Sequence, residues 1–319
     1  MQNQRKIKID SKQLKISCIV PAHNEAAGIN YFLTNLQQQL QALSNNYEVI
    51  IVDDGSTDDL LTAVTPFTTS DKVKIISLSR NFGKETALAA GLDHCSGDVA
   101  ILIDADSQHP TEVIAEFLQH WALGYDMVYG VRQNRDSESK IKRWFTHHFY
   151  RIMQMITKIN IVANAGDFRL LDKKVVTSLN ECKENDRFMK GLYAWVGFKS
   201  IGVPFEVAER NHGQSSWRFK HLVELAITGI TSFSNVPLRI WSFMGFTIAI
   251  CSFMMAAWIC IKTFIFGVDV PGYASIMVAI FFFCGVQLLS IGVLGEYIAK
   301  IFNEVKKRPR YIIDQKIGF

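Results

Sequence analysis

The chain has 319 residues, a formal charge of +4, 49% hydrophobic residues and a mean hydropathy of +0.11. That length accommodates one large domain and a smaller companion, and so small a net charge excludes a general nucleic-acid binder. The six cysteines, Cys18, Cys95, Cys182, Cys251, Cys260 and Cys284, have no paired spacing, which excludes a zinc or disulfide framework and fits a reduced, cytosol-facing domain.

The N-terminus, MQNQRKIKIDSKQLK, has no apolar core and does not read as a signal peptide. Ile16-Ser17-Cys18-Ile19-Val20 is the first strand, and a helix follows Asn24-Glu25. Val49-Ile50-Ile51-Val52 is a second buried strand, ending in Asp53-Asp54-Gly55-Ser56. Val73 to Leu78 is a third, and Val99 to Ile103 a fourth. Short, continuously apolar runs alternating with helices predict a parallel, Rossmann-like sheet. Neither a Gly-x-Gly-x-x-Gly fingerprint nor a phosphate-loop Gly-Lys-Ser/Thr is present, so dinucleotide and ATP-loop chemistry lose their usual support.

Asp104-Ala105-Asp106 follows the fourth run directly. Carboxylates at a strand's carboxyl end lie where open α/β sheets bind ligands. Spaced one residue apart, they can share a hard divalent cation, Mg²⁺ or Mn²⁺, suited to neutralising a diphosphate. The competing reading is a pair of strand-end aspartates capping the helix that starts near Pro110.

From about Arg132 to Ile159, cations (Arg132, Arg135, Lys140, Lys142, Arg143, Arg151) interleave with aromatics and methionines. This pattern predicts a helix lying at a membrane's headgroup level, with an amphipathic helix packed on its own domain as the alternative. A second such helix is expected over residues 219–234. Two stretches, about 240–266 and 273–296, exceed the roughly 20 apolar residues needed to cross a bilayer. The connection Gly267 to Gly272 contains no Lys or Arg, whereas Lys300, Lys306, Lys307, Arg308 and Arg310 follow the second stretch. The positive-inside rule then puts both termini in the cytoplasm. The expected division is a catalytic domain over 1–235 and a membrane domain over 236–319 that ends in a basic tail, with possible self-association through the hairpin.

Four strand-end motifs line up: Pro21-Ala22-His23-Asn24-Glu25, Asp53-Asp54-Gly55-Ser56, Ser79 through Glu85, and Asp104 through Pro110. Two more follow, Gly166-Asp167-Phe168-Arg169-Leu170 and Arg210-Asn211-His212-Gly213-Gln214-Ser215, and then Ser234 through Arg239 before the spans. In this order they resemble the family 2 inverting glycosyltransferases, and within them the polyprenyl-phosphate glycosyltransferases, the group of dolichyl-phosphate mannose synthase and the bactoprenol glucosyltransferases. The resemblance covers nearly the full chain. It implies an α/β, Rossmann-like GT-A catalytic domain with a parallel-dominated sheet, followed by interfacial helices and a two-helix transmembrane hairpin in the inner membrane.

The resemblance also implies an activity: transfer of a sugar from a nucleotide sugar to a membrane polyprenyl phosphate. UDP-glucose is the first donor expected, with UDP-N-acetylhexosamine and GDP-mannose behind it. Pro21, His23, Glu25, Asp53, Asp54, Lys84, Asp104, Ala105, Asp106, Arg132 and Arg210 would bind the nucleotide sugar. Asp104, Asp106 and Gln108 would hold the metal through oxygen ligands. Asp167 would be the base, and Arg135, Lys140, Lys142, Arg143 and Arg169 would meet the acceptor phosphate. An ion pair with Arg169 is the structural alternative for Asp167. The chain departs from the family pattern at Ser216, where a lysine is usual, leaving Arg218 or Lys220 to stand in. It departs again at His109, where an aspartate is usual, and a neutral imidazole there weakens the local negative charge. A processive polysaccharide synthase would carry Gln-x-x-Arg-Trp, which is absent. A membrane-anchored nucleotide-sugar sensor would have no need of Asp167.

Overall fold

The computed structural model describes residues 13–133, 165–185, 187–206, 236–266 and 272–319. In chain order the first unit carries β1 (Ile16–Ala22), α1 (Ala26–Leu43), β2 (Tyr47–Asp53), α2 (Leu60–Val64), β3 (Val73–Leu78), α3 (Lys84–His94), β4 (Val99–Leu102) and α4 (Val113–Ala122). It continues with β5 (Met127–Arg132), β6 (Ala165–Asp172), α5 (Lys173–Glu181), α6 (Met189–Trp195) and β7 (Ser200–Phe205). Two long helices follow, α7 (Val236–Phe266) and α8 (Tyr273–Val305), and then a last strand, β8 (Ile313–Ile317).

All eight strands form one sheet in the order β7-β5-β6-β4-β1-β2-β3-β8. β1 pairs in parallel with β2 and β4, β2 with β3, and β5 with β7. β6 runs antiparallel between β4 and β5, and β8 runs antiparallel along β3. Every residue of β1, β2 and β4 is buried, as expected of strands covered on both faces. The four apolar runs of the sequence reading therefore coincide with β1 to β4. The consecutive strands step outward from β1 to β3, and β4 then returns to the other side of β1. That reversal opens a crevice at the carboxyl ends of β1 and β4, the usual ligand position in such sheets.

The helices pack by the spacing of their apolar residues. α1 buries Ile29, Phe32, Leu33, Leu36 and Leu40, one stripe at helical period. Each such side chain contributes about 1.5–3 kcal/mol when fully buried. α3 buries Ala87, Leu88, Ala89, Ala90, Gly91 and Leu92. A side chain at Gly91 would collide with Ile19 of β1, so the helix lies close on the sheet. Its first residue, Lys84, is thereby brought to the crevice. At the opposite strand ends, buried Glu48 accepts from Ser17 Oγ (2.5 Å) and from the Ser96 amide and hydroxyl (2.8 Å each), and pairs with Lys74 (2.8 Å).

The chain divides into two compact units, one of residues up to Val223 together with Pro309–Phe319, the other Glu224–Arg308. The sequence reading assigns residues after 300 to a basic tail of the membrane part. The structure instead continues α8 to Val305 and returns Pro309–Phe319 to the sheet unit. Ile317 pairs with Ile75 and Lys316 with Ile76. Ser79 N donates to Ile312 O (2.9 Å), and Tyr311 Oη and Arg310 both reach Asp93 (2.9 and 3.3 Å). Hydrogen bonding of a free sheet edge is the reason: β3 would otherwise expose unpaired amides and carbonyls. In the second unit, among the described residues one helix segment, Phe282–Val305, is long and apolar enough to cross a membrane, with a mean hydropathy of 1.6. α7 covers the first stretch expected from sequence and exposes Phe243, Phe246, Met254, Trp258 and Phe264. The expected interfacial helices, apart from Arg132 and Gln133, lie outside the described residues.

Candidate active site

The loops after β1, β2 and β3 are fastened to one another by side chains from the first two motifs. Asp54, 4% exposed, accepts from the amides of Phe82 (2.7 Å) and Gly83 (2.8 Å), tying the β3 loop to the end of β2. Gly55 has φ +62°, and a Cβ there would strike the Arg80–Asn81 backbone; only glycine allows both the conformation and the close approach. Asn24 (φ +57°) accepts from Thr57 N (2.8 Å), while its own amide donates to Ser56 Oγ (3.0 Å). Asp58 accepts from Ala26 N (2.9 Å) and so caps α1 from the loop after β2.

Several residues expected at the nucleotide meet here. Pro21 is buried at the end of β1, and Glu25 immediately precedes α1. His23 is exposed, its Nδ1 at 3.0 Å from Asp54 O and its Nε2 at 3.2 Å from Asn81 Nδ2. Asp53 accepts from Ser56 N and Ser77 Oγ (2.9 Å each). The sequence reading gives Asp53 and Asp54 to the ligand. In the structure each of these carboxylates also accepts two hydrogen bonds from protein donors at the wall of the crevice.

The second half of the site is built on β4, α3 and β6. Lys84 Nζ lies 2.6 Å from Asp104 Oδ1 and 3.1 Å from Asp167 Oδ2, joining the strand-end carboxylate to the β6 carboxylate. β6 brings Asp167 there because it pairs directly with β4, Leu102 opposite Arg169. Burial alone would raise the pKa of Asp167. The charges of Lys84, Lys190 and Arg169 outweigh it and hold the carboxyl below its ordinary value. Its Oδ1 is buried without a hydrogen-bond partner among the described residues. Glu85 accepts from Met189 N (2.8 Å); burial first, then the nearby charge of Asp167, pushes its carboxyl up to about 7. Glu85 closes the Ser79–Glu85 motif of the sequence, which gives it no role, and follows Lys84 on the same turn.

Asp104, Asp106 and His109 lie together, with one ligand atom from each within 4.8 Å of the others. Two carboxylates and an imidazole are a donor set suited to a divalent ion. Ala105 is buried beneath them, and Gln108 N donates to Asp106 Oδ1 (3.1 Å) across Ser107 at φ +57°. Arg132 ends β5 and is half-buried.

Arg169, expected at the acceptor, is 3% exposed. Its guanidinium stacks on Tyr193 (3.6 Å) and donates to Gly166 O (2.6 Å). The side-chain ion pair of Asp167 is with Lys84, not Arg169. Arg135, Lys140, Lys142, Arg143, Arg210 and the Ser216 segment lie outside the described residues.

The site thus joins a strand-end Asp-x-Asp through a lysine to a carboxylate on the neighbouring strand of an α/β sheet. Residues 17–179 match the model of Glycosyl transferase family 2. An uncharacterized glycosyltransferase of Synechocystis is 43% identical over 306 residues, covering 96% of each chain. The SfII prophage-derived bactoprenol glucosyl transferase of Shigella flexneri is 42% identical over 301 residues, covering 94% of this chain and 97% of that one. A prophage bactoprenol glucosyl transferase homolog of Escherichia coli is likewise 42% identical over 94% of this chain and 98% of its own. Among solved structures, a glucosyl-3-phosphoglycerate synthase from Mycobacterium tuberculosis in complex with Mn²⁺ and UDP-glucose is 19% identical, with TM-score 0.44 over 68% of this chain and 77% of that one. The chain belongs to glycosyl transferase family 2, in its polyprenyl-phosphate glycosyltransferase group. It is a glycosyltransferase with a GT-A-like α/β domain.

Proposed function

We propose that the protein transfers glucose, with inversion, from UDP-glucose to a membrane polyprenyl phosphate such as undecaprenyl phosphate. The observation that carries this reading is the Asp104–Lys84–Asp167 bridge in a chain that aligns end to end with bactoprenol glucosyl transferases. The acceptor phosphate is already anionic, so the protein's task is chiefly to orient it. Asp167 is kept ionised by Lys84 and has one oxygen without a partner among the described residues, which suits it to position the attacking group or take up a residual proton. Lys84 lies where its charge can also face the donor's diphosphate. Asp104 and Asp106, with Gln108 or His109, would hold Mg²⁺ or Mn²⁺, which when bound supplies charge stabilisation for the departing nucleoside diphosphate. Pro21, His23 and Glu25 form the side of the crevice suited to the nucleoside, with Arg132 and Arg210 for phosphates. The cationic segment holding Arg135, Lys140, Lys142 and Arg143 is suited to the lipid headgroup level.

The connectivity supports a hairpin in the inner membrane. Glu224–Arg308 leaves the sheet unit and returns to it as β8. A segment that starts and ends in one water-soluble unit crosses a bilayer an even number of times. With Phe282–Val305 as one crossing, α7 is the natural second, and the cation-free Gly267 to Gly272 connection is then external. Reporter fusions at Asp269 and after Phe319 are expected on opposite sides; the same side for both would refute the hairpin.

The transfer itself is tested with the purified full chain in detergent, undecaprenyl phosphate and a panel of nucleotide sugars, with mass analysis of the extracted lipid. A hexose-phosphate lipid formed from UDP-glucose is expected. Product from UDP-N-acetylhexosamine or GDP-mannose alone would correct the donor. Donor binding with no lipid product from any of them would favour a sensor.

A further inference from the structure

Asp167 stands in an irregular stretch of β6, and its aim depends on what holds that stretch. Against β4 the pairing ends with Leu102 opposite Arg169. Against β5 the register passes from Tyr129 opposite Arg169 to Val131 opposite Ala165, so Gly130 alone faces Gly166, Asp167 and Phe168. Such a bulge re-aims a side chain and gives up the ladder contacts that fix a regular strand. Phe168 anchors it on one side, packed against Phe117 (centroids 4.7 Å) and Phe205 (5.8 Å). A Cβ at Gly130 would come within 2.7 Å of Phe205 and 3.2 Å of Phe168, so glycine is what lets those rings close over the bulge.

Arg169 holds the other side. Its side chain is buried, and among the described residues no carboxylate accepts a hydrogen bond from it. Burying a guanidinium is costly unless its charge and donors are used. One terminal nitrogen donates to Gly166 O (2.6 Å), the carbonyl just before Asp167, and the guanidinium carbon lies 3.6 Å from the centre of the Tyr193 ring. A planar guanidinium can stack on an aromatic face and donate in its own plane at once; an ammonium cannot. Tyr193 lies on α6, whose first residue, Met189, donates its amide to Glu85 on α3 (2.8 Å). The circuit closes on α3 itself, where Lys84 reaches Asp167 (3.1 Å).

We propose that Arg169 and Tyr193 are positioning residues for Asp167: Arg169 grips the Gly166 carbonyl from the Tyr193 platform and so sets the bulge at which Asp167 meets Lys84. This rests on the reading of Asp167 as the group that orients the acceptor, and extends it to two residues that touch no substrate. An arginine that met the acceptor phosphate would need free nitrogens at the crevice. In Arg169 the two terminal nitrogens are engaged by Gly166 O and Met127 Sδ, and Nε is buried. Misplacing a catalytic group by about 1 Å costs on the order of 100-fold in rate, which is the scale expected when the grip is lost.

The test compares Arg169→Lys and Tyr193→Leu with the wild type and Asp167→Asn, each as full-length protein in detergent. UDP-glucose binding is measured by calorimetry and transfer to undecaprenyl phosphate by product formation. Arg169→Lys keeps the charge and loses the planar stack; Tyr193→Leu leaves β6 untouched and removes the platform. Both should bind UDP-glucose nearly as the wild type does, with KM for the lipid little changed, while kcat falls on the order of 100-fold. Tyr193→Phe, which keeps the ring face, should recover most of the turnover that Tyr193→Leu loses. Because Arg169 acts through Asp167, adding Arg169→Lys to Asp167→Asn should cost little more than Asp167→Asn alone. A raised KM for the lipid with kcat intact would mean that Arg169 meets the acceptor phosphate instead. Multiplied losses in the double variant, or loss of donor binding in both single variants, would equally overturn the proposal. Wild-type kcat in both single variants beside a crippled Asp167→Asn would overturn it and leave the reading of Asp167 standing. Full turnover by Asp167→Asn would refute that reading, and the proposal with it.

Discussion

Replacing Lys84 by Met removes the charge from between Asp104 and Asp167 while keeping most of the stem. At 3.1 Å from Asp167, one unit charge acts with about 5 kcal/mol at an effective dielectric near 20. The Lys84 side chain is 44% exposed, so solvent screening reduces this to about 2 kcal/mol. That corresponds to about 1.5 pH units on the Asp167 carboxyl, since one unit is worth about 1.4 kcal/mol. The sign follows from the direction of the shift. In the wild type the folded-state pKa of Asp167 is depressed, so its contribution to stability is present above the unfolded value, about 4, and is lost as pH falls through the folded value. Lys84→Met should therefore be less stable by about 2 kcal/mol at neutral pH, with the deficit shrinking below about pH 4. The acid limb of its kcat–pH profile should move up by about 1.5 units. The assay is lipid product formed at saturating donor from pH 2 to 8, beside thermal denaturation over the same range. A fall in kcat with an unmoved acid limb and a raised KM for the nucleotide sugar would refute the reasoning. Lys84 would then act on the donor's diphosphate and not through Asp167.

Two other carboxyls give opposite pH signatures in the same denaturation experiment. Glu85 is raised to about 7, so its stabilisation is complete below about pH 4 and lost as pH rises through 7. Glu85→Gln, whose amide oxygen can still accept from Met189 N, should be more stable than the wild type by about 2 kcal/mol at pH 8 after allowance for partial exposure, and no more stable at pH 4.5; parallel stability curves would contradict this. Glu48, 4% exposed in its side chain, is lowered to about 2 because Lys74, Ser17 and Ser96 outweigh its burial. Glu48→Gln should lose about 3 kcal/mol at pH 6, a deficit that fades as pH falls towards 2; a deficit constant with pH would mean that the carboxylate's charge is not what the network uses.

Sequence by itself determined the parallel heart of this protein. The runs at Ile16, Val49, Val73 and Val99 are short, continuously apolar and separated by helices, and strands buried on both faces require that local signal. It determined equally that carboxylates stand at their ends, because a residue that follows a buried strand emerges at the sheet's rim. The partners of those carboxylates were decided by tertiary structure. An aspartate reads the same whether it accepts a loop amide or a ligand. Only the approach of the β3 loop, permitted by Gly55, commits Asp54 to Phe82 and Gly83. Asp167 meets Lys84 because β6 enters the sheet antiparallel between β4 and β5, and strand order is not carried by hydrophobic period. His109 becomes a buried imidazole only when Phe168 and Phe205 close on it from two other strands. The charged segment ending in Ile313–Ile317 reads as a tail, being polar and short. The open hydrogen bonds along β3 make it a strand, and those belong to the assembled sheet and not to any one stretch of the chain.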